Sequence, residues 1–272
     1  MAISNHWILA KHIHFNPEIF YTFQNFNTDK QNKPTFAIMQ QPIIDVIIPA
    51  YNEEDSIAHV LNDIPKKMVR NIIVCNNNST DKTKQNALNA GAIVVDEPKP
   101  GYGNACLKGM QYVAKNDEPK PDIIVFIDGD YSDYPDQLPE IVQPIVEDKA
   151  DLVIGSRALG LKEKQSMTIP QIFGNWLSTK LIRFIYGYTF TDLGPFRAIK
   201  YDALLKLKMA DKNFGWTVEM QVKAAKLKMK CIEVPVKYRK RIGVSKVSGT
   251  IKGSILAGYK ILWTIFKLWV KN

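Results

Sequence analysis

Three cysteines in 272 residues are few, and their placement excludes more than their number. Cys75, Cys106 and Cys231 stand at no zinc-ligand spacing and make no even-numbered disulfide framework, so a reducing compartment is expected. The N-terminus lacks a basic region followed by an apolar one, the mark of a secretory signal. Internal repeats and low-complexity tracts are absent. Negative charge is scarce at one end: residues 200–272 hold 17 Lys and Arg against 4 Asp and Glu, a net of +13. The first 199 residues hold 19 against 23, a net of −4. A basic quarter of that kind suits an anionic surface or a phosphorylated ligand. Nucleic acid is not the expected partner, because the quarter carries no nucleic-acid motif and is interleaved with apolar runs. A transmembrane span is not expected either, since the last apolar stretch is short and broken by lysines.

What is present is an ordinary globular composition, 46% hydrophobic and 23% charged, long enough for one large domain or two small ones. Residues 1–40 are rich in Asn, Gln, His and Phe without a clear period, and read as an extension of unknown role. From Ile43 the chain alternates. Strands are expected at 43–49, 71–75, 92–95, 123–128 and 151–154, with helices at 53–63, from a Ser79-Thr80-Asp81 cap to 90, from 104 to 115 and at 136–147. Such alternation predicts an α/β fold with a mostly parallel central sheet flanked by helices. Further on, helices are expected at 169–186 and 216–227, a polar loop at 191–197, a strand at 231–236 and a basic loop at 238–250. On the last helix, 251–270, Lys252, Lys260, Lys267 and Lys271 fall within roughly one 100° arc. A basic stripe on a Trp-containing apolar helix suits a membrane surface; a docked core helix with lysines facing water fits the pattern as well.

The most telling segment is Ile123-Ile124-Val125-Phe126-Ile127-Asp128-Gly129-Asp130. Its apolar run reads as a strand buried on both faces, and the two acids, spaced by two, would point to one side if the strand continued. Paired carboxylates at the carboxyl edge of a parallel sheet suit Mg2+ or Mn2+ carrying a diphosphate. A simple turn leaving the strand is the plainer alternative. Four other motifs sit at comparable places: Ile48-Pro49-Ala50-Tyr51-Asn52-Glu53-Glu54, Cys75-Asn76-Asn77-Asn78-Ser79, Gly101-Tyr102-Gly103-Asn104 and Gly155-Ser156-Arg157.

In this order and spacing the motifs resemble family 2 glycosyltransferases of the GT-A fold, most of all the dolichyl-phosphate mannose or glucose synthases and their polyprenyl-phosphate relatives. The resemblance covers about residues 43–246. It implies a catalytic domain at 41–250, followed by an amphipathic helix at 251–272. It gives Pro49, Ala50, Tyr51 and Glu53 to the nucleotide, with Asn77, Gly103 and Gly129 beside them on the donor side. Asp128 and Asp130 would hold the divalent metal and the donor diphosphate. Asp192-Leu193-Gly194-Pro195-Phe196-Arg197, Trp216-Thr217-Val218-Glu219 and Gly243-Val244-Ser245-Lys246 match later family segments. One departure stands out: Asn76-Asn77-Asn78-Ser79 replaces the usual Asp-Asp-Gly-Ser, so the base, uracil or guanine, is open.

The implied reaction is inverting transfer of a sugar from a UDP- or GDP-sugar to a polyprenyl phosphate at the cytoplasmic membrane surface, by a peripheral enzyme. Arg157, Arg197, Arg239, Arg241, Ser245 and Lys246 are candidates for the acceptor phosphate, which arginine's fork binds well. An ionised phosphate needs no strong base; for a sugar-hydroxyl acceptor, Asp192 or Glu219 would be the base. Both also have structural readings, Asp192 as a loop cap and Glu219 as an arginine's partner. A soluble acceptor and a non-catalytic membrane-surface module are the alternatives.

Overall fold

Strand β1 (Ile44–Ala50) is buried along its whole length, because its largely apolar run lies in the middle of a sheet covered on both faces; its one charged residue, Asp45, is paired with Arg70 at 2.5 Å. The computed structural model describes residues 41–115, 119–164, 166–243 and 251–270. The 1–40 extension and the Ser245 and Lys246 sites expected from sequence lie outside the described residues, as do Lys271 and the side chain of Lys252.

The remaining strands are β2 (Asn71–Asn76), β3 (Ile93–Asp96), β4 (Ile123–Phe126), β5 (Leu152–Ser156), β6 (Arg197–Lys200) and β7 (Cys231–Pro235). They form one seven-stranded sheet in the order β3-β2-β1-β4-β6-β5-β7. All pairings are parallel except the two made by β6, which runs antiparallel between β4 and β5. The helices are α1 (Ile57–Asp63), α2 (Thr83–Asn89), α3 (Tyr102–Lys115), α4 (Leu138–Val146, after a 3₁₀ turn at Pro135–Gln137), α5 (Ile169–Tyr186), α6 (Tyr201–Leu207), α7 (Trp216–Lys226) and α8 (Ile251–Val270). Successive β1 side chains serve opposite cores. Ile47 joins Phe126 and Trp216 on one face, while Val46 and Ile48 join Val60, Leu61 and Ile141 on the other. This mixed α/β sheet with flanking helices is the fold class that the alternation predicted.

Four local expectations are corrected. β4 stops at Phe126, so a turn and not strand periodicity carries the acid pair. Residues 53–56 form a turn, and α1 begins only at Ile57. Ser79 and Thr80 do not cap α2; Asp81 Oδ1 accepts from Thr83 N at 2.9 Å, and Ser79 Oγ accepts from Asn52 N at 3.0 Å. Arg197, expected in a loop, opens the short strand β6, and α6 follows it directly. α5 does begin and end as predicted, fixed by a capping box between Thr168 and Gln171 and by Gly187 in the left-handed conformation at its C-terminus.

α5 and α8 pack against each other, and α8 also packs against α7. α8 is docked on one side, with Thr264 and Ile265 buried, yet it exposes Tyr259, Trp263, Phe266 and Trp269 on the other. α5 likewise exposes Ile169, Phe173, Trp176 and Phe184. The expected lysine stripe is broken, because Lys260 turns inward to pair with Asp211 at 2.9 Å.

Candidate active site

The carboxyl ends of β1, β2 and β4 open together onto a cavity of about 600 Å3. Pro49, Ala50, Tyr51, Glu53, Asn77, Asp128, Gly129, Asp130, Arg157 and Arg241 line it, so ten of the sequence-derived candidates converge on one space. Its opposite wall is largely apolar and comes from α5, α8 and nearby loops: Met167, Pro170, Gly174, Phe214, Ala257 and Ile261.

The β1 end is stitched to the acid turn. Ser56 Oγ lies 2.9 Å from Glu53 Oε2 and 2.8 Å from the Gly129 carbonyl. Asn52 takes a left-handed backbone (φ 52°), and its side-chain oxygen accepts from Thr80 N at 2.9 Å. That conformation, which asparagine tolerates, turns the chain from strand to helix and links the first motif to the second.

In the acid turn, Asp128 Oδ1 accepts a 2.8 Å hydrogen bond from the Tyr102 hydroxyl. Burial and the adjacent Asp130 push the Asp128 carboxyl up to about 6. Asp130 Oδ1 accepts from Ser132 N and Oγ, while Oδ2 pairs with Arg241 at 2.8 Å. Nearby Asp133 is buried, and neither of its oxygens finds a hydrogen-bond partner among the described residues. Burial and the Asp128 charge raise its carboxyl well above the ordinary range.

Among the described residues, no group of three or more His, Cys, Asp or Glu is set to hold a metal ion alone. The acid pair nonetheless fits one kind of ion. A hard cation such as Mg2+ is commonly held by one or two carboxylates and completed by substrate phosphates, and Asp128 and Asp130 offer such a partial oxygen set. The crowding of buried negative charge, felt by both Asp128 and Asp133, is what a divalent cation would relieve.

Five candidates are placed otherwise than as ligand groups. Asp192 is buried and bound to Arg157, accepting from its Nε at 2.8 Å, its Nη2 at 2.7 Å and its backbone N–H at 2.7 Å. It is a brace for Arg157 and not a free base. Arg157 in turn sits 5.1 Å from the Tyr238 ring centroid, held in place at the cavity wall. Arg197 is buried and directs its donors to the carbonyls of Leu193, Gly194 and Thr217; burial lowers it to about 10. Glu219 is buried, caps the backbone N–H groups of Ala210 and Asp211, and pairs with Lys223 at 2.8 Å. Neither Arg197 nor Glu219 lines the cavity. Gly103 does not line it either: a Cβ there would stand 2.1 Å from the Asp211 carbonyl, so the glycine serves helix-to-loop packing. Arg239, also off the cavity, lies 3.3 Å from the Tyr131 ring centroid and 4.1 Å from that of Tyr134.

Asn77 does reach the cavity, but its amide is engaged: Nδ2 donates to the carbonyls of Glu97 (3.0 Å) and Lys99 (2.7 Å), and Oδ1 accepts from Gly101 N (2.8 Å). Two donated bonds explain why an amide stands where the family pattern has an acid; a carboxylate would meet two carbonyls with no proton to offer. Sequence reasoning missed Tyr102, Asp133 and Tyr238. Tyr102 had a signal, as a ring between two glycines opening α3. Asp133 lies three residues past Asp130, and nothing in the chain marks it as buried.

Residues 45–207 match the family model described as glycosyl transferase family 2. The chain belongs to that family. An uncharacterized glycosyltransferase of Mycobacterium tuberculosis is 35% identical over 217 residues, 79% of this chain and 94% of its own length. A UDP-N-acetylglucosamine–dolichyl-phosphate N-acetylglucosaminyltransferase of Methanococcus voltae is 31% identical over 85% of this chain and 97% of its own. Among solved structures, glucosyl-3-phosphoglycerate synthase of M. tuberculosis superposes with a TM-score of 0.66 at 21% identity, over 83% of this chain and 79% of that one, a likeness of fold. The family 2 chain is thus a glycosyltransferase on the GT-A fold, within a group that includes polyprenyl-phosphate transferases.

Proposed function

We propose that this enzyme moves a sugar from a nucleotide-diphosphate donor to a polyprenyl phosphate lying in a membrane surface, with inversion at the anomeric carbon. The observation that carries this reading is the two-sided cavity. One side presents Asp128, Asp130, Arg157 and Arg241; the other is apolar and built by α5 and α8, the helices that also expose Phe173, Trp176, Trp263 and Trp269 to the outside. A phosphate head with a hydrocarbon tail has the matching polarity, and exposed aromatic and apolar side chains suit the bilayer interface. No described helix is long and apolar enough to cross a membrane, so the contact proposed is peripheral.

The relative from M. voltae is named for a dolichyl-phosphate acceptor, and one from Micrococcus luteus, 28% identical over 76% of this chain, for undecaprenyl phosphate. Glucosyl-3-phosphoglycerate synthase structures carry UDP with Mn2+ or Mg2+. Asp128 and Asp130 are the residues that would hold such an ion, and when bound it would neutralise charge developing on the departing nucleoside diphosphate. Arg157, fixed by Asp192, orients a phosphate oxygen of the acceptor. That phosphate is already ionised, so the placement of Asp192 and Glu219 as braces is consistent with a reaction needing no strong base.

The test is transfer of labelled sugar from a panel of UDP- and GDP-sugars into organic-extractable lipid, with added polyprenyl phosphate and Mg2+ or Mn2+. Label in the organic phase with one donor, abolished by EDTA, is expected and identifies the base. Metal-dependent release of sugar to water or a soluble acceptor, without lipid product, overturns the acceptor.

A further inference from the structure

The basic segment after β7 holds two arginines in different ways. Arg239 is anchored: Nε donates to the Tyr131 carbonyl at 2.7 Å, Nη2 to the Asp133 carbonyl at 3.1 Å, and its guanidinium lies against the rings of Tyr131 and Tyr134. The backbone is laced to the acid turn on both sides of Arg241, through Arg239 N to the Ser132 carbonyl (2.9 Å) and Ile242 N to the Asp130 carbonyl (3.1 Å). Arg241 itself lines the cavity, half-buried, with its Nη2 on Asp130 Oδ2. Asp130 Oδ1 is already committed to Ser132, so Oδ2 is the oxygen that Asp130 can offer a metal ion. Arg241 stands on it.

We propose that Arg241 is the resident counter-cation of Asp130, displaced when a divalent ion binds and then taken up by the donor diphosphate. This rests on the metal-dependent donor site proposed above. Two neighbouring carboxylates in a buried turn need a positive partner, and the guanidinium supplies one before substrate arrives. A divalent ion on Oδ2 would face that guanidinium across a few ångströms of weakly screened space, so the two cations compete. A nucleoside diphosphate resolves the competition, because its oxygens accept the arginine fork in two parallel bonds. Since Arg239 and the backbone bonds fix the segment, only the Arg241 side chain has to move. The consequence is a site that resists bare metal and takes metal and nucleotide together, a coupling that must be reciprocal.

The experiment measures Mn2+ binding to the full chain by electron paramagnetic resonance of the free ion, without and with UDP or GDP, for the wild type, Arg241→Met, Arg241→Lys and Lys240→Met. Without nucleotide, Arg241→Met is expected to bind Mn2+ about tenfold more tightly than wild type, the size of one strong ion-pair competition. Arg241→Lys and the exposed neighbouring Lys240→Met should stay within about twofold of wild type. Nucleotide should strengthen Mn2+ binding more in the wild type than in Arg241→Met. Thermal unfolding confirms that each variant is folded, and Arg241→Gln replaces Arg241→Met if the latter is not. Equal or weaker Mn2+ binding by the folded variant overturns the proposal, as does an equal gain from Lys240→Met, which would mark a general charge effect. An equal gain in Mn2+ binding on adding nucleotide, in the wild type and in Arg241→Met, rejects the role of Arg241 alone; no Mn2+ binding by wild type even with nucleotide rejects the metal site as well.

Discussion

The two halves of the sheet treat their charged residues in opposite ways. On the β1–β4 side, Glu53, Asp128 and Asp130 sit at or just beyond strand ends and reach the cavity. On the β5–β7 side, Asp192, Arg197 and Glu219 are buried and bonded to protein groups. The first side supplies groups that can exchange partners. The second supplies a rigid wall, with Arg157 as its cationic contribution to the cavity. The difference teaches that residue type does not distinguish a reagent from a brace: an Asp in a loop is one in Asp130, after β4, and the other in Asp192, between α5 and β6. What distinguishes them is how the partner is held: Asp192 takes three hydrogen bonds from Arg157, backbone included, whereas Asp130 Oδ2 has a single half-buried side chain, Arg241, standing on it at the cavity wall.

The contrast breaks most sharply by mutation. Asp130→Ala removes a metal-side oxygen, and sugar transfer is expected to fall by about 10³-fold with little change in the unfolding transition. Asp192→Asn should do the reverse in the first instance. It leaves the Arg157 guanidinium buried beside a neutral group, at a cost of roughly 3 kcal/mol, read as a lowered denaturant midpoint. Were Asp192 a catalytic base, the substitution would instead abolish transfer while leaving the midpoint in place, and the division into halves would fail. Third in size is the outer face of α5 and α8. Trp176→Ala combined with Trp263→Ala should weaken binding to anionic liposomes by roughly tenfold or more, from apolar area no longer inserted. Mn2+ binding should be unchanged, and liposome binding that persists in the double variant would leave those helices without the proposed role.

Much of this arrangement was legible in the chain, for identifiable reasons. β4 announces itself because both faces are covered and every residue is apolar, and β1 because only Asp45 interrupts its apolar run. α5 was placed to the residue from its broad apolar face, and the structure shows what fixes its ends: a capping box of Thr168 and Gln171 and Gly187 in the left-handed conformation. β6 was not, because four residues, two of them cationic, carry no periodic signal; the sheet on either side makes the strand. The convergence of Asp128 and Asp130 was read correctly from spacing but for a different geometry, since the strand ends before either acid. The roles of the arginines were out of reach. Arg157, Arg197, Arg239 and Arg241 are equivalent as letters, and only tertiary structure surrounds one with carbonyls, one with tyrosines, and sets two at a cavity wall. The outward aromatic face was half visible: the pattern of α8 suggested a membrane surface, but not that Lys260 turns inward.

The finest test of the contrast is the protonation of Asp128. Its carboxyl is raised to about 6 by burial and by Asp130, so the folded protein holds that proton more tightly than the unfolded chain, where the ordinary value is 3.8. The native state therefore binds more protons between those two values, and this group's contribution to stability declines as pH rises from about 4 to about 6, then stays at its lower level. Asp128→Asn keeps an oxygen for the Tyr102 hydroxyl and removes the buried charge. At pH 7.5 and without metal, it should raise the melting temperature by a few degrees, and the gain should shrink as pH falls toward 4. Metal binding runs the other way, because an ion requires the carboxylate: Mn2+ affinity of the wild type should weaken as pH drops below about 6. An Asp128→Asn protein no more stable than wild type at pH 7.5 would mean that the acid turn is satisfied in the same way as Asp192, and the exchangeable side of the molecule would not exist as drawn. A gain in stability together with loss of Mn2+ binding is what a site strained in favour of its ligand should give.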